Sequence, residues 1–115
     1  MKAICYHNPR CGKSRLTLQL LLDQSIDVEV IEYLKTPPTA EVLENLLLML
    51  DMQPRELMRK NEPPYKDLGL SNIELDRNTL INTMIDHPIL IERPIVVVGD
   101  KAAIGRPPEA VLTLL

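Results

Sequence analysis

The sequence predicts an α/β fold in which helices flank one mixed four-stranded sheet. Two short apolar segments near the start of the chain, residues 2–6 and 28–34, enclose a leucine-rich segment with the length of a helix. Near the end, the β-branched run at residues 95–98 meets a Gly-Asp turn signal and a second short apolar segment. Strands joined through a helix pair in parallel with a right-handed crossover, whereas strands joined by a tight turn pair antiparallel. A β-α-β half and a β-β-α half therefore share one sheet.

The elements follow in order along the chain. A strand at 2–6 precedes a helix that begins near Gly12 or Lys13 and ends around 23–25. The second strand, at 28–34, is predicted from its β-branched content and partial alternation. The strand at 95–98 and its return strand at 102–104 form the hairpin, and a final helix follows over 109–115.

The middle of the chain predicts a helical insertion over about residues 39–86 within a single domain of residues 1–115. Thr39 and Asp76 are good N-cap residues, and each precedes apolar residues that recur at helical spacing. The whole order is the thioredoxin-like arrangement with helices inserted between its halves. Pro94 stands just before the third strand, where that fold commonly carries a cis proline beside the active cysteine.

The stretch Tyr-His-Asn-Pro-Arg-Cys-Gly-Lys-Ser-Arg at residues 6–15 joins the first strand to the first helix. It places Cys11 at the mouth of a helix N-terminus, beside Arg10, Lys13 and Arg15. Free helix N–H groups and nearby cations stabilise an anion and lower the pKa of a thiol. We therefore predict that Cys11 is a nucleophile; the alternative is a buried structural cysteine.

Three neighbours are candidates to support the thiolate. His7 either pairs with the thiolate or packs within the loop, and Arg15 supports the loop structurally. Ser14 stands where a dithiol oxidoreductase has its second cysteine, so no local disulfide can form and an external thiol must resolve any adduct. Its hydroxyl either donates to the thiolate or satisfies a backbone group of the helix. Cys5, on the first strand, is expected to be structural.

Composition limits the partners. The net charge of −3 argues against nucleic acid, and no apolar run approaches the roughly 20 residues that span a bilayer. Two cysteines make no disulfide framework, which favours a reducing cytoplasmic location. There is no Cys/His cluster with zinc spacing and no Gly-rich nucleotide loop, so neither a metal nor a bound cofactor is predicted. We expect a monomer.

Four blocks carry a resemblance to a known family. They are the loop at 6–15, Leu-Met-Arg-Lys-Asn at 57–61 with Pro-Tyr at 64–65, the His-Pro-Ile-Leu-Ile-Glu-Arg-Pro-Ile-Val-Val stretch at 87–97, and Gly-Arg-Pro at 105–107. Together they span nearly the whole chain in order. In this combination the sequence resembles the glutaredoxin-dependent arsenate reductase family and its less characterised bacterial relatives.

The resemblance implies a thioredoxin-like fold and an oxidoreductase in which Cys11 attacks arsenate. It also implies that Arg59, Arg93 and Arg106 surround the oxyanion, for which planar guanidinium groups offer paired N–H donors. Glutathione, as co-substrate, would form a mixed disulfide with Cys11, and glutaredoxin would resolve it. Arsenate would thereby be reduced to arsenite through a thiol–arsenate adduct.

Three other functions compete with this interpretation. A glutathione- or glutaredoxin-linked oxidoreductase acting on mixed disulfides would use the same cysteine but leave the three arginines without a role. A non-enzymatic regulator of the same fold would bind RNA polymerase, although Ser14 removes the Cys-x-x-Cys redox switch of some such regulators. A phosphatase loop of the Cys-x5-Arg type is a weaker match, because Thr17 occupies the arginine position.

Overall fold

The computed structural model describes residues 1–115 as two compact units, one formed by residues 1–36 with 93–115 and the other by residues 37–92. The first unit contains the predicted four-stranded mixed sheet, in the order β2-β1-β3-β4. β1 pairs in parallel with β2 and antiparallel with β3, which pairs antiparallel with β4. The strands are β1 (Lys2–Tyr6), β2 (Asp27–Ile31), β3 (Ile95–Val98) and β4 (Lys101–Ile104). The predicted fold class is confirmed.

The core of this sheet unit lies between the sheet and the helix α1 (Gly12–Asp23). A 3-10 helix, Pro108–Leu114, packs against α1 and β4. Since successive residues of a strand point to opposite faces, Ala3 and Cys5 share the face that the helices cover. The fully buried cluster consists of Ala3, Cys5, Leu21, Val96 and Val111.

The inner face of α1 is not the leucine-rich one. Its buried residues are Ser14, Thr17 and Leu21, which recur at intervals of three and four residues, as one helical face requires. Leu16 and Leu22 are at least half exposed. Two small polar residues thus hold the N-terminal half of the helix close to its neighbours.

The second strand ends earlier than predicted. β2 stops at Ile31, whereas the β-branched pattern predicted a strand through residue 34. The chain turns at Glu32, whose carbonyl accepts hydrogen bonds from the N–H groups of Lys35 (2.9 Å) and Thr36 (3.0 Å). The local turn thus replaces the sheet as partner for this backbone.

The helical unit contains the two helices predicted to follow Thr39 and Asp76, which are α2 (Ala40–Leu50) and α4 (Arg77–Asp86). It also contains a short helix, α3 (Pro63–Asp67), and two 3-10 turns, Pro54–Leu57 and Pro88–Leu90. Both predicted caps form: the side chain of Thr39 accepts from the Val42 N–H (3.2 Å) and that of Asp76 from the Thr79 N–H (2.8 Å). α4 packs against α2 and both 3-10 turns. None of these helices, nor α1, combines the length and apolar character needed to cross a bilayer.

Candidate active site

The loop that carries Cys11 is folded by hydrogen bonds to Asn8. The Asn8 carbonyl accepts the Cys11 N–H, and the Asn8 side-chain oxygen accepts the Arg10 N–H, both at 3.0 Å. Cys11 is then the N-cap residue of α1, in an extended backbone conformation, and its carbonyl accepts the first helical bond from the Arg15 N–H. Asparagine suits this place because its side chain can form such a turn with its own backbone.

The surroundings of the Cys11 thiol favour its ionised form. Burial, the largest single influence, raises the pKa of this partly exposed thiol. The backbone N–H groups of Ser14 and Lys13 and the charges of Arg93 and Arg106 together outweigh burial and hold the pKa below its ordinary value. A larger fraction of the thiol is therefore the nucleophilic thiolate near neutral pH.

Arg93 and Arg106 reach the thiol because of the hairpin register. β3 begins at Ile95 and β4 ends at Ile104, and these two residues are paired across the hairpin. The flanking arginines therefore emerge side by side: Arg106 Nε donates to the Arg93 carbonyl at 2.9 Å, and Arg106 Nη2 lies 3.7 Å from Cys11 Sγ. The peptide bonds that follow both arginines, to Pro94 and Pro107, are cis.

Gly105 allows the end of β4 to approach α1. Its N–H donates to the Pro94 carbonyl at 2.9 Å. A Cβ atom at this position would overlap the Thr17 side chain and lie 2.8 Å from Pro94 Cγ. Only a residue without a side chain fits between these neighbours, and this close approach holds Arg106 beside the nucleophile loop.

His7 and Ser14 form a buried pair beneath the loop. The backbone N–H of His7 donates to the Ile31 carbonyl at 2.8 Å, and the ring Nδ1 of His7 lies 2.7 Å from Ser14 Oγ. Ser14 Oγ also accepts the Asn8 N–H at 3.0 Å. Burial lowers the pKa of His7 and the charge of Arg15 lowers it further, against the opposing charge of Glu32. His7 is therefore neutral near neutral pH. Ser14 has two roles: its hydroxyl bonds to the loop, and its backbone N–H stabilises the thiolate.

Arg15 and Cys5 take structural places. Arg15 is exposed, and its Nη1 donates to the Pro9 carbonyl at 3.0 Å, which ties the loop to α1. Cys5 is wholly buried, and burial raises the pKa of its thiol to about 12. Neither cysteine is in a disulfide.

Arg59 belongs to the helical unit. Its backbone N–H donates to the Leu90 carbonyl, and its side-chain Nη2 forms an ion pair with Glu62, both at 2.7 Å. A role for Arg59 in oxyanion binding stays a prediction from the resemblance. No three His, Cys, Asp or Glu side chains come together in a way that could hold a metal ion.

Two residues with a part in this site were not singled out from the sequence. Asn8 supplies three hydrogen-bonding groups to the loop, whereas an Asn-Pro pair in a sequence indicates a turn and nothing more specific. Gly105 belongs to the Gly-Arg-Pro block at 105–107 that carries the family resemblance, but its close contacts come from α1 and Pro94, which are distant in sequence. A glycine directly after a strand and before a predicted site arginine was the one signal that could have pointed to a close approach.

Comparison with known proteins identifies the family of this chain. The profile of the ArsC family matches residues 6–114. The uncharacterized protein YfgD of Escherichia coli K12 is 52% identical over 111 residues, covering 96% of this chain and 93% of its own. An arsenate reductase of Neisseria meningitidis is 45% identical, covering 96% of this chain and 95% of its own. A structure of an arsenate reductase from Vibrio cholerae superposes with a TM-score of 0.97 at 47% identity, covering 100% of this chain and 98% of that one. The chain belongs to the ArsC family.

Proposed function

We propose that this protein reduces arsenate to arsenite through a thiol–arsenate adduct on Cys11, with glutathione and glutaredoxin as reductants. The observation that carries the proposal is the pairing of a low-pKa thiol with a guanidinium 3.7 Å from its sulfur, at the start of a helix. The family and its relatives named as arsenate reductases support arsenate as the substrate.

In the first step the Cys11 thiolate attacks the arsenic of dihydrogen arsenate. A sulfur–arsenic bond forms and one arsenic–oxygen bond breaks, with the oxygen leaving as water after it takes up protons. We propose that Arg93 and Arg106 hold the oxyanion, because the charges that stabilise the thiolate also stabilise negative oxygens. Arg59 is proposed as a third guanidinium for the same anion.

In the second step the thiolate of glutathione attacks Cys11 Sγ. A disulfide forms, the sulfur–arsenic bond breaks, and its electron pair goes to arsenic, which falls from the pentavalent to the trivalent state. A glutaredoxin thiol then exchanges with the mixed disulfide and frees Cys11. An external thiol is needed because Ser14 stands where a resolving cysteine would be. The reaction needs a pool of reduced glutathione, which the cytoplasm supplies.

The test is arsenate-dependent oxidation of NADPH by the purified protein, coupled through glutathione, glutaredoxin and glutathione reductase. We expect turnover by the natural sequence and by Cys5→Ala, and none by Cys11→Ser. A parallel assay with thioredoxin and thioredoxin reductase should give far less turnover. Faster turnover with thioredoxin would overturn the glutaredoxin part of the proposal and leave arsenate reduction intact.

A second assay separates arsenate from disulfide substrates. Arg93→Ala should lose far more of its arsenate reduction than of its exchange between Cys11 and a small disulfide. The oxyanion loses a binding partner, whereas exchange loses only one of several contributions that lower the Cys11 pKa. Equal losses in both assays would instead favour an oxidoreductase of mixed disulfides.

A further inference from the structure

A cleft of about 210 Å³ opens beside the nucleophile loop in the sheet unit. One wall is the loop just before Cys11, and the other is the turn after β2. Its lining residues are His7, Asn8, Pro9, Arg10, Glu32, Leu34 and Lys35. The mechanism above uses nothing on the second wall.

The second wall carries a pair of opposite charges that point to a zwitterion. Lys35 Nζ and Glu32 Oε1 are 3.5 Å apart, and these side chains are 79% and 42% exposed. Both charges are therefore open to a ligand, and the turn that carries them is fixed by hydrogen bonds to the Glu32 carbonyl. An α-amino acid head group has an ammonium for Glu32 and a carboxylate for Lys35, at a similar separation. Leu34, 40% exposed, adds an apolar surface for an alkyl stem.

The size and position of the cleft suit one end of a thiol ligand. Pockets for whole drug-sized ligands are roughly 300–1,000 Å³, so 210 Å³ suits an end group rather than a complete molecule. Arg10 on the first wall precedes Cys11 directly, so their Cα atoms are about 3.8 Å apart. A tripeptide-sized ligand can extend about 10 Å. A head group in the cleft and a sulfur at Cys11 are thus within one ligand's reach.

We infer that this cleft is a subsite for the α-amino acid head group of a γ-glutamyl thiol, of which glutathione is one. The inference rests on the proposed function, which supplies the reducing thiol. The γ-glutamyl end is the one that fits, because it carries both an ammonium and a carboxylate, whereas the glycine end carries a carboxylate alone. Bound there, the head group holds the ligand sulfur near Cys11 Sγ.

The test uses disulfide exchange, which needs no arsenate. The Cys11 thiolate attacks one sulfur of glutathione disulfide, the sulfur–sulfur bond breaks, and a glutathione thiolate leaves. Mass spectrometry follows modification of Cys11 by glutathione disulfide and, in parallel, by bis(2-hydroxyethyl) disulfide, which has no head group. The ratio of the two rates cancels any change in Cys11 itself. Every variant is first checked for folding by circular dichroism.

Glu32→Gln gives the sharpest outcome. Without the carboxylate, the ligand ammonium loses its partner, and the rate ratio should fall about twofold to fivefold, the range of an exposed ion pair. Long-range electrostatics alone predicts the opposite sign, because removing a negative charge favours anionic glutathione disulfide. A raised or unchanged ratio in Glu32→Gln would overturn the subsite.

Lys35→Glu is the second variant, and Lys101→Glu, on the exposed β4 end of the sheet unit, is its matched control. The same charge change should lower the ratio in Lys35→Glu and leave it unaltered in Lys101→Glu. An equal fall of the rate ratio in both variants would mean that the net charge of the protein, and not a binding site in the cleft, controls the rate with glutathione disulfide. Disulfide exchange needs no arsenate, so the two hypotheses fail separately. An unchanged rate ratio in the variants would overturn the subsite, whereas a lack of arsenate turnover by the natural sequence would overturn the proposed function.

Discussion

Cys5 and Cys11 are six residues apart and have opposite chemistry. Cys5 lies on the inner strand β1, paired with Val30 on one side and Val96 on the other, and burial raises the pKa of its thiol to about 12. Near pH 7 only about one Cys5 thiol in 10⁵ would be ionised. Cys11 lies partly exposed at the start of α1, and its pKa is lowered. The surroundings of a cysteine, and not its place in the sequence, thus decide which one can act as a nucleophile.

The stabilising groups at Cys11 come from both ends of the chain. The N–H groups of Lys13 and Ser14 come from its own helix, whereas the charges of Arg93 and Arg106 come from the distant hairpin. Cys5 has only the effect of burial. The difference between the two thiols therefore depends on tertiary structure, and it can be tested by removing one contribution at a time.

The largest expected effect is the loss of all thiol chemistry in the native Cys11→Ser variant. The folded Cys11→Ser variant should not be labelled by iodoacetamide near pH 7, because its remaining thiol, Cys5, is buried and un-ionised. Cys5→Ala should keep that labelling. In urea, both single variants should label equally, since each retains one exposed thiol. Rapid labelling of native Cys11→Ser would contradict the assignment of the reactive thiol.

The next effect is a loss of stability in Gly105→Ala. The new methyl group would overlap Thr17 and crowd Pro94, and such overpacking costs about 1–3 kcal/mol. Urea denaturation measures this as a lower midpoint. The control is Gly12→Ala, whose new Cβ would have its nearest neighbour, Arg15 Nη2, at an ordinary 3.8 Å. Equal stability of Gly105→Ala and the natural sequence would mean that the close approach is not needed.

A smaller effect concerns stability in alkaline solution. Because the folded-state pKa of Cys5 is raised to about 12, its contribution to stability is complete below the ordinary thiol pKa and is lost as pH rises toward 12. Linkage with a single such thiol gives a loss of roughly 1.5 kcal/mol between pH 7 and pH 10. The unfolding free energy of Cys5→Ala should fall less over this interval than that of the natural sequence. Parallel declines would remove Cys5 as the cause.

The smallest effect is expected for the substitution Arg106→Met, which should shift the pH profile of iodoacetamide labelling at Cys11. Loss of the guanidinium near Sγ raises the pKa of Cys11, so the inflection in labelling rate moves to higher pH. Arg77→Met removes a charge that is paired with Glu44 in the helical unit, and serves as the control. The comparison between the two cysteines would weaken if both arginine variants had the same profile as the natural sequence.

Much of the fold could be predicted because its signals are local. The Thr39 and Asp76 caps act within three residues of themselves, and the β-branched run at 95–98 forms β3 as its composition predicts. The β-α-β and hairpin connections then leave few ways to arrange four strands. The end of β2 was predicted wrongly because strand propensity at residues 32–34 was weaker than the turn closed by the Glu32 carbonyl.

The candidate site divides in the same way. By itself, the sequence determined the fold class and the position of Cys11 at a helix start, since both follow from neighbours within a turn or two. Only the tertiary structure decided that Arg106 lies 3.7 Å from Sγ, that Gly105 meets Thr17, and that Glu32 faces the nucleophile loop across a cleft. These contacts depend on strand register and on close packing between segments far apart in sequence. Propensity and spacing describe each segment alone, so they could not specify which distant side chains would meet.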